Sequence, residues 1–158
     1  MISTKIKEKL FKFYPLDFPI QVKDKENMEK LKSFIFDIRN SSLGDSLINF
    51  AYSCAKTLNN GKPSSNKVPD LFLIEGYYNS NIKEYLKLTG EKKKLGNYLE
   101  ALIFLSWVYN LLTLDEIIER LTEEMNPEMF ISSIDEKRSA EKSFSRLFNI
   151  INNLIFEK

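Results

Sequence analysis

From Ser42 to Leu58, apolar residues fall at Leu43, Leu47, Phe50, Ala51, Cys54, Ala55 and Leu58. Spacings of three and four place them on one stripe of an α-helix. Asn59-Asn60-Gly61 stops this helix, and the polar tract Gly61 to Lys67 reads as a loop. The same period predicts a charged amphipathic helix from about Lys23 to Arg39, and two shorter ones over Val68 to Tyr78 and Ile82 to Leu88, the second ending at Gly90. A short amphipathic helix opens the chain and is closed by Pro15 and Pro19. Thr113-Leu-Asp-Glu116 and Ser133-Ile-Asp-Glu136 fit capping boxes, and Asn126-Pro127 sets a cap residue before a first-turn proline. The last helix, about Asp135 to Phe156, ends in Ile150, Ile151, Leu154, Ile155 and Phe156, a run that must cover core or a partner chain. With no internal repeat and no dividing linker, the pattern predicts an all-α fold, one domain over residues 1–158.

One segment departs from this amphipathic pattern. Leu95 to Leu114 is a twenty-residue stretch with a single charge, Glu100, long enough to span a bilayer. Asn97, Ser106 and Asn110 lie in it too, and an acid in hydrocarbon is costly. It is read instead as the central helix of the domain, apolar on every side because other helices surround it. No membrane span is expected.

Composition then narrows the chemistry. The 158 residues hold no His, which excludes Ser-His and Cys-His nucleophile pairs, an imidazole base and any His-containing zinc site. The single Cys, Cys54, excludes an intramolecular disulfide and suits a reducing compartment; on the apolar stripe it reads as core. The first apolar run is broken by Lys5, Lys7, Lys9 and Lys12, so no secretory signal is read and a cytoplasmic protein is expected. What remains for catalysis is carboxylates, lysines, hydroxyls and a hard metal ion. The net charge of +1 conceals a divide: Met1 to Lys94 carries 17 basic and 11 acidic groups, Leu95 to Lys158 carries 6 and 11. The basic part suits a polyanion, or is simply a set of solvated helix faces.

Two acids stand out. Glu100 lies among Leu99, Ala101, Leu102 and Ile103, and a carboxylate buried there is protonated, paired or cation-bound, unless it sits near a helix N-terminus for the dipole alone. Asp45, in Ser42-Leu-Gly-Asp45, is either the N3 acid of a capping box or a ligand-facing group on a polar face with Asn49, Tyr52 and Lys56.

Together these two segments resemble ribonuclease III. Leu43-Gly44-Asp45-Ser46-Leu47-Ile48-Asn49-Phe50 is similar to that family's signature helix, in which an LGD triplet carries a metal-binding Asp. Asn97-Tyr98-Leu99-Glu100-Ala101-Leu102-Ile103 is similar to its second acidic helix, an Asp-x-x-Glu-Ala-Leu-Ile string. The likeness runs from about Lys30 to Arg120, with Val68-Pro-Asp-Leu-Phe-Leu73 and a Lys92-Lys93-Lys94 loop between the motifs, and no double-stranded-RNA-binding domain follows, as in the Mini-ribonuclease III branch. Ser41 and Asn97 stand where the full-length enzymes carry further acids, and Ser42 where they carry an aromatic.

The resemblance implies a ribonuclease III-like endonuclease domain of about seven to nine helices around the central buried one. It implies a homodimer that hydrolyses double-stranded or structured RNA in RNA processing. Asp45 and Glu100 would be catalytic and would hold Mg²⁺, with Mn²⁺ able to substitute, while Asn97 offers a neutral oxygen and Ser41 a contact through water. Lys56, Lys62, Lys67, Lys92, Lys93 and Lys94 are the candidates for phosphate contacts. The alternative is a catalytically silent module of the same fold that binds structured RNA or scaffolds a ribonucleoprotein; a third reading is an unrelated helical interaction domain.

Overall fold

The computed structural model describes residues 8–14, 18 and 21–157. The opening helix of the sequence reading lies partly outside these residues; what is described is helical at 8–10 and continues as a 3₁₀ turn, Phe11–Phe13. The described residues form helices α1 (Lys25–Ile35), α2 (Ile38–Asn60), α3 (Asp70–Tyr78), α4 (Ile82–Leu86), α5 (Lys92–Val108), α6 (Leu114–Thr122) and α7 (Ser133–Phe156), with a 3₁₀ turn at Pro127–Phe130 and no strand. The architecture is all-α.

The long helices start at caps that the motif reading displaced. The charged helix expected to reach Arg39 breaks at Phe36, because Asp37 caps a new helix by accepting from Arg39 N at 2.9 Å. α2 therefore begins four residues before Ser42. Ser42 lies inside the first turns, its hydroxyl donating back to the Ile38 carbonyl, so Asp45 is not the acid of a Ser42 capping box. At α7 the cap is Ser132, which accepts from Asp135 N, rather than Ser133. Thr113 and Glu116 do form the reciprocal box at α6.

α5 is the centre. From Leu99 to Val108 every residue is buried, and the helix packs on α1, α2 and α3. It starts at Lys92, so the lysine triplet forms its first turn instead of a loop, and it ends at Val108 rather than Leu114. No helix is long and apolar enough to cross a membrane among the described residues. α7 runs along α3, α4 and α6, and its apolar end is used inside the fold: Ile151 and Ile155 are buried, and Phe156 stacks on Tyr85 at 4.6 Å.

Close packing of α2 on α5 depends on one missing side chain. A methyl group at Gly44 would overlap the Glu100 carbonyl oxygen and lie 2.5 Å from its carbon. This contact turns α2 relative to the predicted stripe. The inward face is Ser41, Gly44, Ile48, Ala51, Tyr52, Ala55 and Lys56. Leu43, Phe50 and Leu58 are exposed, with Phe50 at 57% and Leu58 at 68%, and Leu47 and Cys54 are half-buried. The expected apolar stripe is thus split: Ala51 and Ala55 join the core, Leu47 packs against its edge, and Leu43, Phe50 and Leu58 face outward.

Candidate functional site

The Gly44 contact places consecutive residues on both helices at one crossing. Asp45 follows Gly44 on α2, and Glu100 is the residue of α5 against which Gly44 rests. A second glycine admits a third acid. At Gly96, one turn before Glu100, a Cβ would sit 2.7 Å from Asp70 Cγ and 2.8 Å from Oδ1, so the Asp70 side chain packs directly against α5 where a side chain is missing. Asp70 was not singled out from the sequence, where it reads as an acid in the first turn of α3. Only the tertiary contact gives it a place in the site.

Glu100 is 4% exposed, and no described side chain hydrogen-bonds or ion-pairs with it. Burial, followed by the negative charges of Asp45 and Asp70, pushes its carboxyl up to about 7, against the opposing charges of Lys93 and Lys67. Asp45 is half-buried and accepts from Asn49 Nδ2 at 3.1 Å. Asn49 uses its other end on the backbone: its Oδ1 accepts from Val68 N at 2.7 Å, just ahead of Pro69, the N-cap of α3. One amide thereby ties the Asp45 carboxylate to the segment that delivers Asp70.

The lysines divide. Lys93 Nζ stands 3.9 Å from Asp70 Oδ2, and Lys67 acts on Glu100 through its charge; Lys62, Lys92 and Lys94 are exposed. Three lysines in the first turn of a helix oppose its dipole, so the local energetics of α5 do not explain them. Lys56 is corrected. It is 7% exposed and turned inward, 2.7 Å from Glu136 Oε1 and 2.9 Å from Asn66 Oδ1, with the Tyr52 and Phe130 rings beside it. A buried ammonium with two of its three N–H donors already given to Glu136 and Asn66 is turned away from a phosphate at the surface. Tyr52, expected on the same polar face, is buried as well and donates to Glu136 at 3.1 Å.

Ser41 and Asn97 precede the two acids by one turn. Ser41 is buried and its hydroxyl donates to the Ile38 carbonyl at 3.2 Å, leaving only its lone pairs for another group. Asn97 is half-buried. Among the described residues no three His, Cys, Asp or Glu side chains converge closely enough to form a metal cage. Two hard carboxylates at this crossing, Asp45 half-buried and Glu100 buried with no partner among the described side chains, are still a donor set that suits Mg²⁺, which keeps several waters and is commonly held by one or two carboxylates.

Residues 39–156, about three quarters of the chain, match the Ribonuclease III family. The chain belongs to the ribonuclease III family. The match begins inside α2 just before Ser41 and takes in both acid-bearing helices and α7, consistent with an endonuclease domain. No curated protein matches it. Membership supports a ribonuclease-type function and RNA as the partner.

Proposed function

We propose that this ribonuclease III domain is a metal-dependent endoribonuclease acting on double-stranded or structured RNA, with Asp45 and Glu100 as its catalytic carboxylates. The observation that carries the reading is Glu100: a buried residue whose carboxylate has no hydrogen-bond or ion-pair partner among the described side chains and faces two further acids is stabilised in its charged form by a bound cation. Asp45, Glu100 and the Asn97 amide oxygen would hold Mg²⁺ or Mn²⁺, with Ser41 behind them. Bound there, the cation supplies Lewis acidity to the scissile phosphodiester and to the attacking water. The chain's own residues do the rest. Asn49 fixes the Asp45 carboxylate. Asp70 adds negative charge that favours a cation, and Lys67 and Lys93 neutralise an RNA phosphate beside it. Incubating the protein with a perfect RNA duplex, with Mg²⁺ or Mn²⁺ and with EDTA, tests the reading. Metal-dependent cutting supports it; binding without cutting selects the silent RNA-binding module, which Ser41 and Asn97, standing where the full-length enzymes carry acids, favour.

Lys92, Lys93 and Lys94 head α5 beside the acids and are candidates for the phosphate track. Replacing all three with Ala should weaken duplex binding with little sequence preference and flatten its salt dependence by up to about three units of slope, at ~0.9 per phosphate contact. An unchanged slope in a salt titration would clear these residues of that role.

We further propose that the protein acts as a homodimer, which gives each RNA strand an active site. The outward face of α2 supports this. Phe50, Cys54 and Leu58 line an apolar groove of about 870 Å³ with Ile118 and Thr122 of α6. Phe50→Asp should convert a dimer to a monomer in light scattering; a parent that stays monomeric at high micromolar concentration would contradict the proposal.

A further inference from the structure

Four side chains on one side of α2 grip the loop that follows it. Asn49, Ser53, Lys56 and Thr57 are spaced by four, three and one residues, which returns them to one flank of the helix. Thr57 Oγ1 accepts from Ser64 N at 3.0 Å. Ser53 Oγ accepts from Asn66 N at 3.1 Å and donates to the Asn66 carbonyl at 3.4 Å. Lys56 Nζ donates to Asn66 Oδ1 at 2.9 Å, and Asn49 Oδ1 accepts from Val68 N at 2.7 Å. A polar loop without secondary structure has no helical hydrogen bonds of its own, so these bonds decide its path.

The grip has two features that simple loop closure does not require. It includes a buried lysine, whose desolvation is costly and is offset here by Glu136 on α7, so the loop is referred to the core rather than to solvent. It also ends at the acids, since the Asn49 amide that holds Val68 N is the one that donates to Asp45. Lys67 lies between the two gripped residues Asn66 and Val68, with an exposed side chain.

We propose that Asn49, Ser53, Lys56 and Thr57 form a positioning clamp that fixes residues 64–68, so that Lys67 is presented to the phosphate of an RNA strand lying over Asp45 and Glu100. The assignment rests on the RNA reading above. Ser53, Lys56 and Thr57 act through Lys67 and touch no substrate themselves. Lys56, expected from the sequence to meet phosphate directly, serves it from inside.

Duplex RNA binding measured in EDTA across a salt series tests the clamp, using the Ser53→Ala/Thr57→Ala double variant, Asn66→Ala and Lys67→Ala. Asn66→Ala removes one acceptor of the Lys56 ammonium and leaves its ion pair with Glu136 in place, so a thermal melt of each variant accompanies the binding series. Each variant should lose about one unit of salt slope, the share of a single phosphate contact. Adding Lys67→Ala to either clamp variant should lose nothing more, because both act on one contact. Amides of Ser64, Asn66 and Val68 should exchange faster in the clamp variants while the helices stay protected. Slope losses that sum in the combined variants, or clamp variants with the parent's slope, would overturn the positioning role. Unchanged amide exchange would overturn the clamp itself. A parent that binds no duplex RNA would instead remove the functional reading, and with it the role of Lys67.

Discussion

Glu100→Gln is expected to abolish metal-dependent RNA cleavage and to raise the melting temperature in metal-free buffer at neutral pH. The substitution is nearly isosteric and removes a charge from a site 4% exposed, where no described side chain pairs with it. The sign of the pH effect follows from the shift. Folding raises this carboxyl to about 7, through burial and then the charges of Asp45 and Asp70. Between its ordinary value and about 7 the native chain keeps a proton that the unfolded chain has released, so stability falls as pH rises through that window and levels off above it. At ~1.4 kcal/mol per pH unit the loss is on the order of 3 kcal/mol. Thermal melts of the parent from pH 5 to 8 should show this decline, and Glu100→Gln should flatten it. Mn²⁺ should raise the melting point of the parent by binding the native state and leave the variant unmoved. Parent and variant that melt alike at every pH, with and without Mn²⁺, and cleave at equal rates would sink the assignment.

Gly44→Ala is expected to destabilise the fold by about 3 kcal/mol or more, where helix propensity alone predicts a gain. Gly44 lies inside α2, and Ala is favoured over Gly in a helix interior by ~1 kcal/mol. The added methyl, however, meets the Glu100 carbonyl oxygen and carbon, and backbone cannot rotate aside as a side chain does. α2 and α5 must part, which moves Asp45 away from Glu100 and should reduce cleavage along with stability. Denaturant unfolding gives the first effect and duplex cleavage the second. A variant as stable as the parent would show that the two helices do not touch at this residue.

Much of the framework was legible in the sequence because it is local. The 3.6-residue period, Gly61 and the Thr113 box mark helices through neighbours a turn apart, and the structure keeps them, whereas the helix expected to run to Leu88 and stop at Gly90 ends at Leu86, with Lys87 in the left-handed cap position. The LGD triplet and the Glu100 segment identified the family from short strings. Boundaries were less legible. Ser42 and Ser133 look like caps, but Asp37 and Ser132 cap the helices, because several residues in each stretch can accept the first amide and the chain's path selects one.

The site itself divides in the same way. Sequence determined its chemistry: without His, and with one Cys, the candidates were carboxylates and lysines, and Asp45 and Glu100 stood out as acids in otherwise apolar or motif-bearing helices. Only tertiary structure decided which face of α2 is inside, since Leu43, Phe50 and Leu58 have the period of a core stripe, and the Gly44 contact turns the helix so that smaller residues face α5. It likewise brought in Asp70 through Gly96, and withdrew Lys56 from solvent to meet Glu136, 80 residues away. Periodicity reports that a helix has two faces. Which face is buried depends on how closely another backbone can approach, and that distance is set by residues far apart in the chain.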